Sequence, residues 1–139
     1  MAKELVVTEL LSDPMIEVGK RLVERLDESD ADVQAAFWMF FPDEKRWKLI
    51  IVSRFVKHDG PRQFYKRVVE ANKKANELEL VVSLNDVSVT DTSDTFVNLL
   101  RSAISTGDEI SGIRFSRNTI NGTFIEDSYI YRINIKPQL

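Results

Sequence analysis

Nine consecutive residues, Val33–Phe41, are apolar except for one glutamine. The run is too short and too continuous for a surface helix, whose apolar residues recur at steps of three and four. It predicts a central strand. The acidic stretch 27–32 before it is a polar connector, and Pro42-Asp43-Glu44-Lys45 after it supplies a turn. Positions 47–53, with β-branched Ile50, Ile51 and Val52, read as the returning strand of a hairpin.

Helices are expected around that hairpin. Ser12-Asp13-Pro14 offers a capping hydroxyl and then a proline whose missing N–H costs nothing in the first turn. Met15, Val18, Gly19, Leu22, Val23 and Leu26 form the apolar stripe of this first helix, which ends near Asp27. Asp59-Gly60-Pro61 opens a second helix by the same logic. Its apolar stripe is Phe64, Tyr65, Val68, Ala71, Ala75 and Leu78, and Arg62, Lys66, Arg67, Lys73 and Lys74 project opposite, with Glu70 among them. Positions 80–84 and 87–89 read as strand broken at Asn85-Asp86. A third helix, capped by Asp91, Thr92 or Ser93, is expected to bury Phe96, Val97, Leu99, Leu100, Ala103 and Ile104 and to stop at Gly107.

The remainder, 110–135, is strand-rich. Asn121-Gly122 favours a two-residue hairpin turn, because a type I′ turn needs positive φ at both central positions, and it would set Arg117 opposite Glu126. The alternative puts the bend at Glu126-Asp127-Ser128 and leaves 129–135 as a separate last strand; the sequence leaves both open. The order α-β-β-α-β-α-β-β gives an α+β fold, a mostly antiparallel sheet with three helices, in one compact domain over 1–139. Phe37, Phe40, Ile50, Val68, Leu99 and Ile113 are the expected core.

Four of these segments carry a resemblance: Ala36-Phe37-Trp38-Met39-Phe40-Phe41-Pro42 with Trp47-Lys48-Leu49-Ile50-Ile51, Gly60-Pro61-Arg62, Ile110-Ser111-Gly112-Ile113-Arg114, and Ile120-Asn121-Gly122-Thr123-Phe124-Ile125-Glu126-Asp127 with Tyr129-Ile130-Tyr131-Arg132. From about Ser12 onward the chain resembles a family of small bacterial α+β proteins of unknown function. The resemblance brings no activity, cofactor or site residue with it.

Composition narrows the chemistry. Cysteine is absent, which excludes disulfides, thiol catalysis and Cys-type metal sites and fits a reducing compartment. No stretch approaches the roughly 20 apolar residues of a membrane span, so a cytoplasmic protein without membrane contact is expected. Charge is strongly segregated. Ten of the nineteen Lys and Arg lie in positions 45–74, where Asp59 and Glu70 are the only acids, so that segment carries +8. The other residues set nine bases against twenty acids, −11, and the chain totals −3. Such polarity suits an acidic protein, nucleic acid or a phosphorylated ligand.

Signatures of P-loop, dinucleotide and zincin chemistry are missing, and no catalytic residue, cofactor or metal is assigned. The only histidine, His58, falls in a loop beside Arg54, Asp59 and Arg62, a setting able to hold an anion near helical N–H groups. Asp43-Glu44-Lys45 has the ingredients of a metal-dependent nuclease but sits in a turn, where charge serves solvation. Arg54, His58, Arg62, Lys66, Arg67, Lys73 and Lys74 are the candidate anion- or nucleic-acid-binding residues, although a pI near 5.3 is unlike the basic domains of dedicated nucleic-acid proteins. The expected function is a non-catalytic protein-interaction or self-assembly module with a polarised surface. Weak, sequence-independent nucleic-acid or anion binding is the alternative, and a nuclease or small-ligand sensor stands further back. A symmetric homodimer is expected, its interface sought at Tyr129, Tyr131, Arg132 and Ile133, with Tyr129, Tyr131, Ile133 and Ile135 on one face of an extended strand.

Overall fold

In the computed structural model, which describes residues 2–137, the apolar run is β2 (Val33–Phe41), the middle strand of a five-stranded sheet. It pairs antiparallel with β3 (Arg46–Ser53) on one side and β7 (Thr123–Ile133) on the other. β5 (Val87–Thr90) joins β3 in parallel, and β6 (Ile113–Ile120) joins β7 antiparallel, giving the order β5-β3-β2-β7-β6. A separate two-stranded parallel sheet pairs β1 (Lys3–Glu4) with β4 (Leu80–Val81).

Both faces of β2 are covered, which is why its sequence does not alternate. Ala36 and Trp38 face a layer built by α1 (Asp13–Glu28) and α3 (Pro61–Asn72), among Leu22, Leu26, Phe64 and Val68. Ala35, Phe37 and Met39 face the other way, toward Val97 and Leu100 of α4 (Thr95–Arg101). The Ser12 hydroxyl caps α1 by accepting from the Met15 N–H at 3.3 Å. Asp30 and Asp32 carry the chain into β2 with φ of 55° and 57°, a conformation that aspartate tolerates better than most residues.

Several expectations need correction in detail. A short helix, α2 (Arg54–Asp59), follows β3 directly, capped by the Ser53 hydroxyl at 3.1 Å from the Phe55 N–H, so the described residues hold four α-helices. The cap of α4 is Asp94, whose Oδ1 accepts from the N–H groups of Phe96 and Val97 at 2.9 and 3.0 Å, and the helix ends at Arg101, well before Gly107. Asn85 and Asp86 interrupt the fourth strand region as a single 3₁₀ turn, Leu84–Asp86. Of the expected core, Phe37 and Val68 are fully buried, while Phe40, Ile50, Leu99 and Ile113 pack half-buried at its margins.

The hairpin question resolves in favour of Asn121-Gly122, at φ 47° and 84°, and β7 runs unbroken through Glu126-Asp127-Ser128. Alternation along β7 is broken elsewhere. Ala36 pairs with Arg132 and Phe37 with Ile130, which leaves Tyr131 as an extra residue in a β-bulge. Tyr131 and Arg132 therefore both point to the α1 side and Ile133 to the α4 side, so Tyr131 and Ile133 do not share a face. No helix of the described residues is long and apolar enough to cross a membrane.

Candidate functional site

The site that combines an open backbone edge with converging polar side chains lies at β6. The two-residue turn makes Ile120 and Thr123 a hydrogen-bonded pair, which directs the Thr119 N–H away from β7; the Asn118 side chain meets it at 2.9 Å. Among the described residues no backbone hydrogen bond reaches the outer side of this strand.

Inward of that edge, over the face of the sheet, opens a groove of about 470 Å³. Arg114, Ser116 and Arg117 line it from β6, Glu126 and Asp127 from β7, Phe40 from β2 and Trp47 from β3, so it runs inward across the sheet face from β6 toward β3. Leu10 and Leu11 close one side, anchored where the Trp47 indole N–H donates to the Glu9 carbonyl at 2.7 Å. Consecutive side chains of a strand normally point to opposite faces. Here Ser116 and Arg117 line the same groove, and Arg117 has φ 48°, a left-handed conformation uncommon for arginine.

The charges of the groove are unequal in freedom. Arg114 grips Asp127 through both its Nε, at 2.6 Å, and a terminal nitrogen, and the Asp127 carboxylate also accepts from the Ser128 N–H at 2.9 Å. Arg117 stands opposite Glu126 in register, yet neither has an ion pair among the described residues. The groove thus presents one guanidinium, Arg117, and two carboxylates, Glu9 and Glu126, without ion pairs among the described residues, above an aromatic floor and with an apolar rim in which Leu10 is 82% exposed.

The residues singled out from sequence are distributed differently. Arg54 is occupied: its Nε and NH2 donate to the two oxygens of Asp32 at 2.9 and 2.7 Å, and its backbone N–H adds a third bond at 3.2 Å. Those bonds hold the Asp32 carboxyl below the usual carboxylate range. Arg67 lies over the Phe55 ring at 4.8 Å, and Lys73 meets Glu70 at 3.1 Å. His58, Arg62, Lys66 and Lys74 are exposed and have no ion pair among the described residues. A second groove, of about 580 Å³, runs between the end of α1 and α3; Lys66, Arg67 and Lys74 line it together with Asp59 and Glu70. Asp43, Glu44 and Lys45 stand exposed on the β2–β3 turn.

The proposed interface residues serve the interior. Tyr131, Arg132 and Ile133 are 1, 6 and 1% exposed. Tyr131 donates to the Ile16 carbonyl at 2.6 Å and accepts from the Trp38 indole at 3.0 Å, and burial pushes its hydroxyl pKa up. Arg132 clamps Asp27 at 2.9 and 2.8 Å and reaches the Val33 carbonyl at 3.1 Å. Tyr129 is half-buried, its ring edge-on to Tyr131. The β6 groove was not among the sequence candidates. Its one sequence signal was the Asn121-Gly122 register that sets Arg117 opposite Glu126; the contribution of Leu10 and Leu11 depends on tertiary packing. Compared with protein-family models, curated proteins and solved structures, the chain finds no match.

Proposed function

We propose that this chain is a non-catalytic protein-interaction module that takes an extended segment of another protein along the outer edge of β6. The observation that carries this reading is an eight-residue edge strand, free of proline, whose outer side takes no backbone hydrogen bond among the described residues and whose Arg114, Ser116 and Arg117 line the groove over the sheet face. An exposed edge of that length is a template for strand addition, in which main-chain bonds supply affinity and side-chain pockets supply choice. Arg114 and Arg117 discourage indiscriminate pairing, since charge and local irregularity are the usual guards of a free edge. A reducing, cytoplasmic setting fits the absence of cysteine.

The test is selection of random peptides on the immobilised protein, counter-selected against Thr119→Pro, which removes the outward donor. Peptides that bind the parent and lose the variant support the reading, provided the variant's amide spectrum is otherwise native. Peptides that bind both equally refute it. Scattering during gel filtration reports whether a second copy occupies the edge, by a doubling of the 16.0 kDa chain mass.

A second reading rests on Arg62 and Lys66 of α3 and Lys74 just past its end, exposed and without ion pairs among the described residues. Such a face would bind nucleic acid weakly and without sequence preference, with affinity falling steeply as salt rises. Labelled DNA and RNA titrated at two salt concentrations decide it; no binding at low salt removes it.

A further inference from the structure

Whatever the β6 edge binds, we infer that Asn121, at the tip of the β6–β7 hairpin, is a site of spontaneous modification: it deamidates through a cyclic imide, and one of the two products breaks the hairpin register. Asn121 is the only asparagine of the chain followed by glycine. Glycine leaves the backbone nitrogen of position 122 unshielded by a side chain. Both residues are exposed, and apart from its chain neighbours no atom stands within 4 Å of where a Cβ on Gly122 would lie. Among the described residues neither the Asn121 side chain nor the Gly122 N–H has a hydrogen bond. Other asparagines are held: the side chains of Asn72 and Asn98 donate to the Val82 and Thr92 carbonyls, and that of Asn134 to the Asp108 carboxylate.

The Gly122 nitrogen gives its proton to base in the solvent and attacks Cγ of Asn121. A bond to Cγ forms, the Cγ–Nδ2 bond breaks, and ammonia leaves with a proton from water, closing a five-membered imide. Water then opens the ring at either carbonyl. Cleavage at Cγ yields aspartate; cleavage at the main-chain carbonyl yields isoaspartate, whose backbone runs through Cγ and is one carbon longer. In a type I′ turn the first central residue has ψ of about 30°, which turns the next nitrogen away from Cγ, so the ring closes when Asn121 rotates out of the turn. The tip of an edge hairpin allows that rotation, because such segments open locally at low free energy. The two products differ in consequence. Asp-Gly suits the same turn and keeps Ile120 opposite Thr123. Isoaspartate does not, since the length of a hairpin loop fixes the register of its strands. Ile120 and Ile125, 6 and 2% exposed, then lose their cover, and the β6 edge is disordered with them.

Incubation of the ¹⁵N-labelled full chain in mildly alkaline buffer, with timed samples digested by trypsin, tests the inference. The fragment 118–132, released by cleavage after Arg117 and Arg132, is expected to gain the mass of an amide-to-acid conversion, located by fragmentation at Asn121 ahead of every other asparagine. Asn121→Gly, which keeps a glycine pair suited to the turn, should hold its mass over the same period. Ion-exchange chromatography then separates the aspartate and isoaspartate forms of the intact chain. The first should keep the parent's β6 amide shifts and the second should lose them. Asn121 left unconverted in the folded chain, whether or not urea releases it, would mean that the turn protects it and overturns the inference. An isoaspartate form with unmoved β6 amides overturns the loss of register.

Discussion

Gly19 shows how one missing methyl group positions a layer of the fold. In the middle of a helix glycine costs about 1 kcal/mol relative to alanine. A Cβ at this position, however, would press into the Tyr131 hydroxyl and stand 2.7 Å from the Trp38 indole nitrogen. Those two polar groups, with the Met15 and Ile16 carbonyls, form the hydrogen-bonded seam between α1 and the sheet. Gly19→Ala is therefore expected to lower stability by about 1–3 kcal/mol through overpacking, despite its gain in helix propensity. Urea midpoints check this, and the loss should shrink in a Tyr131→Phe background, where the hydroxyl is gone. An unchanged midpoint would mean that α1 can lift without cost. The sequence places Gly19 on the buried stripe of α1, but nothing local reveals that a tyrosine near the far end of the chain occupies the space of its side chain.

Elements whose signals are local were legible: the Ser12-Asp13-Pro14 start of α1, the Gly60-Pro61 start of α3, the β2–β3 hairpin and the Asn121-Gly122 turn. Elements set by distant partners were not. α2 replaces a plain loop because Asp32, in the connector before β2, binds both the Arg54 side chain and its backbone N–H. The β7 bulge exists because Tyr131 and Arg132 both have partners on α1, at Ile16 and Asp27. For the Asp32 clamp the sign of the pH effect is fixed: a carboxyl depressed in the folded state stabilises fully above its unfolded value, near 4, and the contribution is lost as pH falls through the folded value. The stability gap between the parent and Asp32→Asn should thus be widest near neutrality and narrow on acidification, as urea midpoints at several pH values will show. A gap independent of pH would assign the effect of Asp32 to its neutral hydrogen bonds. In α4, Leu100 is fully buried and Leu99 only partly. Leu100→Ala should cost about 2–5 kcal/mol and Leu99→Ala clearly less, because only the first leaves an enclosed cavity. Equal losses in chemical denaturation would contradict the orientation of this helix.

At the scale of the whole molecule, the basic segment of the sequence does not fold into one basic surface. Lys45 and Arg46 lie at the β2–β3 turn end, where Arg46 reaches Asn85 and Asp86 of the 3₁₀ turn, while Lys57, Arg62 and Lys66 belong to α2 and α3 and Lys74 to the turn just after α3. Segregation of charge was legible as composition; its division between two regions required the topology. That topology also governs how the chain can be made. β2 finds β3 within a few residues, but its other edge pairs with β7 roughly a hundred positions later, a separation that slows folding. At cellular rates of roughly 5–20 residues per second, a ribosome needs on the order of ten seconds to deliver that partner. Throughout this interval Phe37 and Met39 lie on a strand open along one side, an apolar edge that stays exposed until β7 has been made.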